Sequence, residues 1–256
     1  MIRKLSGKVR RFWASLALLS VEMVLLAAVF LVSLTVFGYM VRRVFVLQNN
    51  DFDQQVFDYL GGWVTPGLNR FMQAVTFLGT HRFLIPANLS LIAWFLFVRP
   101  HKWYSIKVPA IALSSLLLMS LLKNLFGRSR PLDPLLEPAR GLSFPSGHAL
   151  MSMTFYGLLI YITYHSVKNP RLRWPIIAFL GLLILTISFS RIYLRVHYTS
   201  DVLAGLALGA LWVVLALKLI RRIEKQGKRT LGPIVGHGPA PTMGTGPVPN
   251  APSEPM

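Results

Sequence analysis

Ser190-Arg191-Ile192-Tyr193-Leu194-Arg195-Val196-His197-Tyr198-Thr199-Ser200-Asp201 is a short polar connection between two long apolar runs. The run before it extends from about Trp174 to Ser190, and the run after it ends at Lys218. Runs of that length are suited to the bilayer as membrane-crossing helices, so the connection lies at a membrane surface. It also carries chemistry: on a helix, His197 and Asp201 share a face at i, i+4, where the carboxylate takes one ring N–H and leaves the other nitrogen free as a nucleophile. Arg191 is placed to hold an anion against that nitrogen. Either Thr199 or Ser200 is suited to N-cap the following helix.

The rest of the chain has the same character. Of 256 residues, 54% are hydrophobic, well above a soluble domain. Cysteine is absent, which excludes disulfides, thiolate metal sites and thiol catalysis together. The formal charge of +18 sits at the ends of apolar runs and not in one stripe with interleaved aromatics, so no nucleic-acid partner is implied. Nothing in the sequence sets an oligomeric state.

Six spans are expected: Ala14 to about Met40, Met72 to Val98, Val108 to Phe126, Ala149 to His165, Trp174 to Ser190, and Thr199 or Ser200 to Lys218. The fold class is therefore all-α, a polytopic membrane helical bundle, with a short interfacial helix in the loop between Asn49 and Arg70. Residues 1–13 form a basic N-terminus, 14–220 the six-span domain, 221–230 a basic segment, and 231–256 a Gly/Pro-rich tail expected to be disordered. A break is expected in the second span at Gly79-Thr80-His81-Arg82. Glu22 is an intramembrane carboxylate that snorkels or pairs with a basic neighbour. Asp51 and Asp53 read as loop and helix-cap chemistry and not as half a metal site. His81 and His237 are lone histidines, and Ser190 is a weak supporting candidate near the site.

Positive residues favour the cytoplasmic side. With the basic N-terminus inside, the basic connections after spans two and four and the segment after span six also face inward. The loops after spans one, three and five then face outward, and they hold Lys123 to Arg130, Pro145 to His148, and Ser190 to Asp201. Three unusual segments thus share one membrane face, with Lys123, Arg130 and Arg191 converging on two histidines as an anion site. Arg128, Arg140 and Arg195 are read as headgroup anchors or as contacts to a highly charged headgroup.

In order and spacing these segments resemble the signature of the type 2 phosphatidic acid phosphatase family, in its integral membrane bacterial-type branch. That family shares its site with bacterial class A acid phosphatases and vanadium haloperoxidases. The first motif, Lys, six residues, Arg-Pro, matches Lys123 and Arg130-Pro131; the second, Pro-Ser-Gly-His, matches Pro145 to His148. The third, Ser-Arg, five residues, His, three residues, Asp, matches Ser190-Arg191, His197 and Asp201. The resemblance covers roughly residues 45 to 220 and implies a membrane phosphatase acting without metal or cofactor. It implies that His197 attacks phosphorus to form a phosphohistidine, that Asp201 orients its ring, and that His148 protonates the leaving group and then activates water. Lys123, Arg130, Arg191, the Ser146 hydroxyl and the Gly147 N–H would hold the phosphate oxygens. The last two have their own rationale, because Ser146-Gly147 opens a helix whose N-terminus favours an anion.

The expected substrate is a lipid phosphate or diphosphate, such as phosphatidic acid, phosphatidylglycerol phosphate or undecaprenyl diphosphate. The protein is expected in the cell membrane with both termini cytoplasmic and the active site on the extracytoplasmic face. A phosphotransferase using the same phosphohistidine, and a non-catalytic lipid-phosphate binder, are the alternatives.

Overall fold

The computed structural model describes residues 21–99, 101–135 and 141–235. The basic N-terminus, the opening of the first span, the Glu22 side chain, Arg140 and the tail beyond Val235, including His237, lie outside the described residues. Among those described, all regular structure is helical: α1 Val21–Val41, α2 Asp51–Gly61, α3 Pro66–Phe77, α4 His81–Ala93, α5 Lys102–Phe126, α6 Gly147–Ser166, α7 Pro170–Tyr193 and α8 Thr199–Val235. Two π-helical turns, Arg42–Val46 and Trp94–Val98, extend α1 and α4.

Among the described residues, five runs are long and apolar enough to cross a membrane: Met23–Val46, Pro66–Val98, Trp103–Phe126, Pro170–Tyr193 and Thr199–Glu224. The first passes Met40 and includes Arg42 and Arg43. Arg43 does not end it, because its guanidinium donates to Tyr39 and to Asn49 Oδ1 at 3.0 Å and lies over the Phe52 ring. The second is interrupted as expected, by a turn at Leu78 to Thr80 between α3 and α4.

The remaining expected span, α6, is not among these five. Its 20 residues reach about 30 Å at about 1.5 Å per residue, but its Ala149, Leu150, Ser152, Thr154, Phe155, Tyr156 and Leu158 are buried. A helix packed among others needs no uniformly apolar surface. Leu84 of α4, Phe155 and Tyr156 of α6, and Leu180, Ile184 and Ile187 of α7 share one core cluster. A second cluster joins Phe57 and Leu60 of α2, Ala149 of α6, Ile192 of α7 and Val202 of α8.

Against α8 the contact is closer still. A Cβ on Gly205 would meet the Ser146 carbonyl oxygen at 2.6 Å, and one on Gly209 would meet Met153 Cβ at 2.8 Å and the Leu150 carbonyl at 2.9 Å. Small residues four apart let two helix backbones approach, and here they hold the start of α6 against α8. Gly205→Val drives a branched side chain into backbone. We expect it to destabilise the bundle by about 1–3 kcal/mol or more, read as a lower melting temperature in detergent. Leu219→Ala, at an exposed helical position, is the control and should leave the melting temperature nearly unchanged.

The compact unit ends at Lys218, and Leu219–Met256 is a second unit, described as helix as far as Val235. The last helix therefore continues past Lys218, where its span was expected to end, and past Leu231, where the tail was expected to begin.

Candidate active site

The three polar segments meet at one end of the bundle. Lys123 stands in the last turn of α5, which Gly127 closes in the left-handed conformation at φ 60°. The chain then passes Arg128 and Arg130 and returns to Arg128, whose carbonyl accepts from Ser143 N at 2.8 Å. Phe144 fixes the next turn: its ring is fully buried and packs edge-on against Phe45 and Phe126. Ser146 precedes α6, and its backbone N–H donates to the Asp201 carbonyl at 3.0 Å, which ties the second motif to the third. Arg191 stands in the last turn of α7, His197 lies in the turn that follows, and Asp201 is in the first turn of α8.

His197 is buried, and its two ring nitrogens have distinct partners. Arg130 Nη1 lies 3.2 Å from Nε2. A guanidinium only donates, so Nε2 accepts and the ring proton belongs on Nδ1. Nδ1 is 3.2 Å from Ser143 Oγ, which in turn donates to Asp201 Oδ2. The direct Nδ1 to Oδ2 separation is 3.6 Å, too long for a hydrogen bond. His197 is thus oriented towards Asp201 through a serine hydroxyl. The expected His197–Asp201 pair is present as an i, i+4 contact, but His197 precedes α8 and sits on a turn and not on the helix face. Burial pushes the imidazole down to about 4; Asp201 opposes the shift and Arg130 and Arg191 add to it. The ring is neutral at physiological pH with its lone pair on Nε2.

The remaining expected residues surround this ring. Arg130 is fixed by the carbonyls of Gly141 at 2.9 Å and Val196 at 2.8 Å. Arg191 donates from Nη1 to Thr76 Oγ1 at 2.7 Å, so the end of α3 sets its position. Lys123 donates to the Leu142 carbonyl and lies within electrostatic reach of Arg130 and Asp201. His148 lies within reach of Arg191, His197 and Arg130. Ser146 Oγ, His148 Nε2 and Arg191 Nε are buried and have no hydrogen-bond partner in the protein. Such groups cost about 1–3 kcal/mol each when left unpaired; Ser152 Oγ, Arg173 Nε, Ser188 Oγ and Thr199 Oγ1 are also buried and unpaired among the described residues. Ser146 does not cap α6 with its side chain, which leaves the hydroxyl available. A Cβ on Gly147 would meet Met119 Sδ at 2.8 Å, a contact that the flexible methionine side chain can relieve.

Residues 104–225 match the model of the PAP2 superfamily. This stretch belongs to the PAP2 superfamily. The chain is 29% identical over 161 residues to phosphatidylglycerophosphatase B of Bacillus subtilis, covering 62% of this chain and 79% of the relative. It is 28% identical over 193 residues to an undecaprenyl-diphosphatase of Sulfolobus acidocaldarius, covering 71% and 87%. Among solved structures it resembles a transmembrane PAP2 type phosphatidylglycerolphosphate phosphatase from Bacillus subtilis, with TM-score 0.66 and 26% identity over 77% of this chain and 96% of that one. Apolar helices and membrane relatives together make this a multi-pass membrane protein.

The site contains residues that the motif spacing does not mark. Ser143 is one; it lies two residues before Pro145 and bridges His197 and Asp201. Arg128 is another. Expected as a headgroup contact, it donates to Asp201 Oδ1 at 2.6 Å and to Asp53 at 2.9 Å. Asp53 does cap a helix, but the helix is α8: its carboxylate accepts from Ser200 N at 2.8 Å and Ser200 Oγ at 2.6 Å. Neither Thr199 nor Ser200 supplies that cap, and Thr199 Oγ1 has no partner. Arg195 is likewise internal to the fold, adopting φ 53° and donating to the Phe57 carbonyl at 3.2 Å. Ser190 bonds the carbonyl of Ile187 within its own helix at 2.6 Å and takes no part in the site. The described residues include no group of three or more His, Asp or Glu placed to hold a metal ion.

Proposed function

We propose that this PAP2 protein is a membrane phosphatase that hydrolyses lipid phosphate monoesters or diphosphates through a phosphohistidine on His197. The observation that carries the reading is the meeting of the three polar segments at His197, where Ser146 Oγ, His148 Nε2 and Arg191 Nε are three of the seven buried side-chain atoms without a partner among the described residues. A phosphoryl group offers oxygens to all of them.

In the first step Nε2 attacks phosphorus, the bond to the leaving oxygen breaks, and His148 Nε2–H gives its proton to the departing alkoxide or phosphate. Nδ1–H stays directed through Ser143 to Asp201, which stabilises the positive ring. Lys123, Arg130 and Arg191 balance the charge on the equatorial oxygens, with Ser146 Oγ–H and the Gly147 N–H at the start of α6. In the second step His148 takes a proton from water, the resulting hydroxide attacks phosphorus, and the P–N bond breaks to release inorganic phosphate. Cations around His148 oppose its protonation in the first step, and the negative charge of a bound phosphate restores it.

Six spans with both termini cytoplasmic, and α2 lying at the outer interface, would set this site at the extracytoplasmic headgroup level. There a lipid phosphate reaches it laterally. Phosphatidylglycerol phosphate, phosphatidic acid and undecaprenyl diphosphate are the candidate substrates. The test is phosphate release from a panel of these lipids in detergent with a chelator present. Release at full rate is expected, and strict dependence on added magnesium would contradict the mechanism.

Because His197 is pushed down to about 4, it stays neutral well below the ordinary histidine value of 6.5. We expect the nucleophile's titration to appear in kcat/KM as a loss only as pH falls towards about 4. An acid limb that tracks His197 near 6.5 would show that the ring is not held neutral in this way.

A further inference from the structure

Arg128 lies outside the motif positions, yet it is the most heavily tied cation of the site. Its Nη1 donates to Ser200 Oγ at 2.7 Å and to Asp201 Oδ1 at 2.6 Å, and its Nη2 to Asn50 Oδ1 and Asp53 Oδ2, both at 2.9 Å. The guanidinium carbon sits 4.0 Å from the centre of the Tyr198 ring. The side chain is 10% exposed, Asp53 2% and Asp201 0%. Burying three charges costs desolvation that their attraction offsets only with full hydrogen bonding, and here that bonding is nearly complete. With both terminal nitrogens engaged inside the protein, the guanidinium is poorly placed to read a headgroup.

We propose that Asp53 and Arg128 are positioning residues for the reaction, a clamp by which α2 fixes the Asp201 carboxylate and through it the His197 ring. The geometry divides the two oxygens of Asp201. Oδ1 takes Arg128, while Oδ2 takes Ser143 Oγ–H and the Tyr198 N–H at 3.0 Å. A carboxylate held on both sides cannot rotate, so the Ser143 hydroxyl stays aligned with His197 Nδ1. Asp53 completes the clamp from the other end by holding Arg128 and, at the same time, the first turn of α8 on which Asp201 stands. The segment between the first two apolar runs thereby becomes part of the catalytic apparatus, although it lies outside the stretch matched to the superfamily.

This inference rests on the phosphatase reading, and the experiment separates the two. Wild type, His197→Ala, Asp53→Asn, Arg128→Gln and the double variant Asp53→Asn/Arg128→Gln are assayed for phosphate release per folded protein. Loss of position costs rate more than binding. We expect kcat to fall about 10- to 100-fold in each clamp variant with KM within about twofold, and the double variant to be no worse than the more impaired single one. Unchanged kcat, a rise in KM alone, or losses that multiply in the double variant would overturn the clamp.

A second readout does not need turnover. His197 faces Arg130, Arg191, His148 and Asp201, and removing the Arg128 charge leaves Asp201 freer to stabilise a protonated ring. Nitrogen NMR of the His197 side chain should therefore titrate at higher pH in Arg128→Gln than in wild type, by about one unit. An unmoved titration contradicts the clamp even if Asp53→Asn does not fold. If wild type releases no phosphate from any lipid tested, the phosphatase reading fails and the NMR titration alone decides the clamp.

Discussion

Replacing His197 by alanine is expected to abolish phosphate release, with kcat falling by at least about 10⁴-fold. The fall is large because no other group can take the place of Nε2. Its lone pair is freed by the proton on Nδ1, and the ring is held neutral by burial and two arginines. Ser143 and Asp201 stand behind it. The neighbouring histidine, His148, is assigned the acid and base role in this mechanism and does not replace the nucleophile. Phosphate release measured on purified protein in detergent, with folding checked by melting temperature, gives the result directly. Wild-type activity in this variant would remove the nucleophile from the mechanism.

His148→Ala is expected to fail differently. Without a proton donor the first step slows, and without a base the intermediate is not hydrolysed, so kcat should fall by about 10²–10⁴-fold. A substrate whose leaving group needs no protonation, such as an aryl phosphate, bypasses the first defect and leaves the second. With that substrate the variant should accumulate radiolabelled phosphoryl on the protein, stable to alkali and lost in acid as a P–N bond is. Equal loss on alkyl and aryl substrates with no label retained would assign His148 to binding alone.

Much of this is legible in the sequence, and the reason is physical. The cations and histidines of the three motifs stand at the ends of apolar runs, so their order along the chain predicts that they gather at one end of the bundle, as the contacts of Arg130 and Ser146 with the third motif show. Helix-breaking Pro and Gly between Phe126 and Ala149 likewise announce the long connection. The break at Leu78 to Thr80 is foreshadowed by Gly79-Thr80, and the structure shows its use, since the end of α3 carries the Thr76 that holds Arg191.

What the sequence hides depends on contacts that no spacing encodes. Asp53 and Ser200 are 147 positions apart, and a carboxylate that looks like a local cap serves a distant helix instead. Arg128 resembles any other basic residue at a span end until its partners are seen. Ser143 is a plain serine beside a motif, and only the 3.6 Å gap between His197 and Asp201 gives it a task.

The most direct measurement is to quench the enzyme during turnover of a labelled lipid phosphate under alkaline conditions and locate the phosphoryl group by mass spectrometry. The account predicts a single modified peptide bearing the group on His197. A phosphoryl group on His148, Ser146 or Asp201 would contradict it.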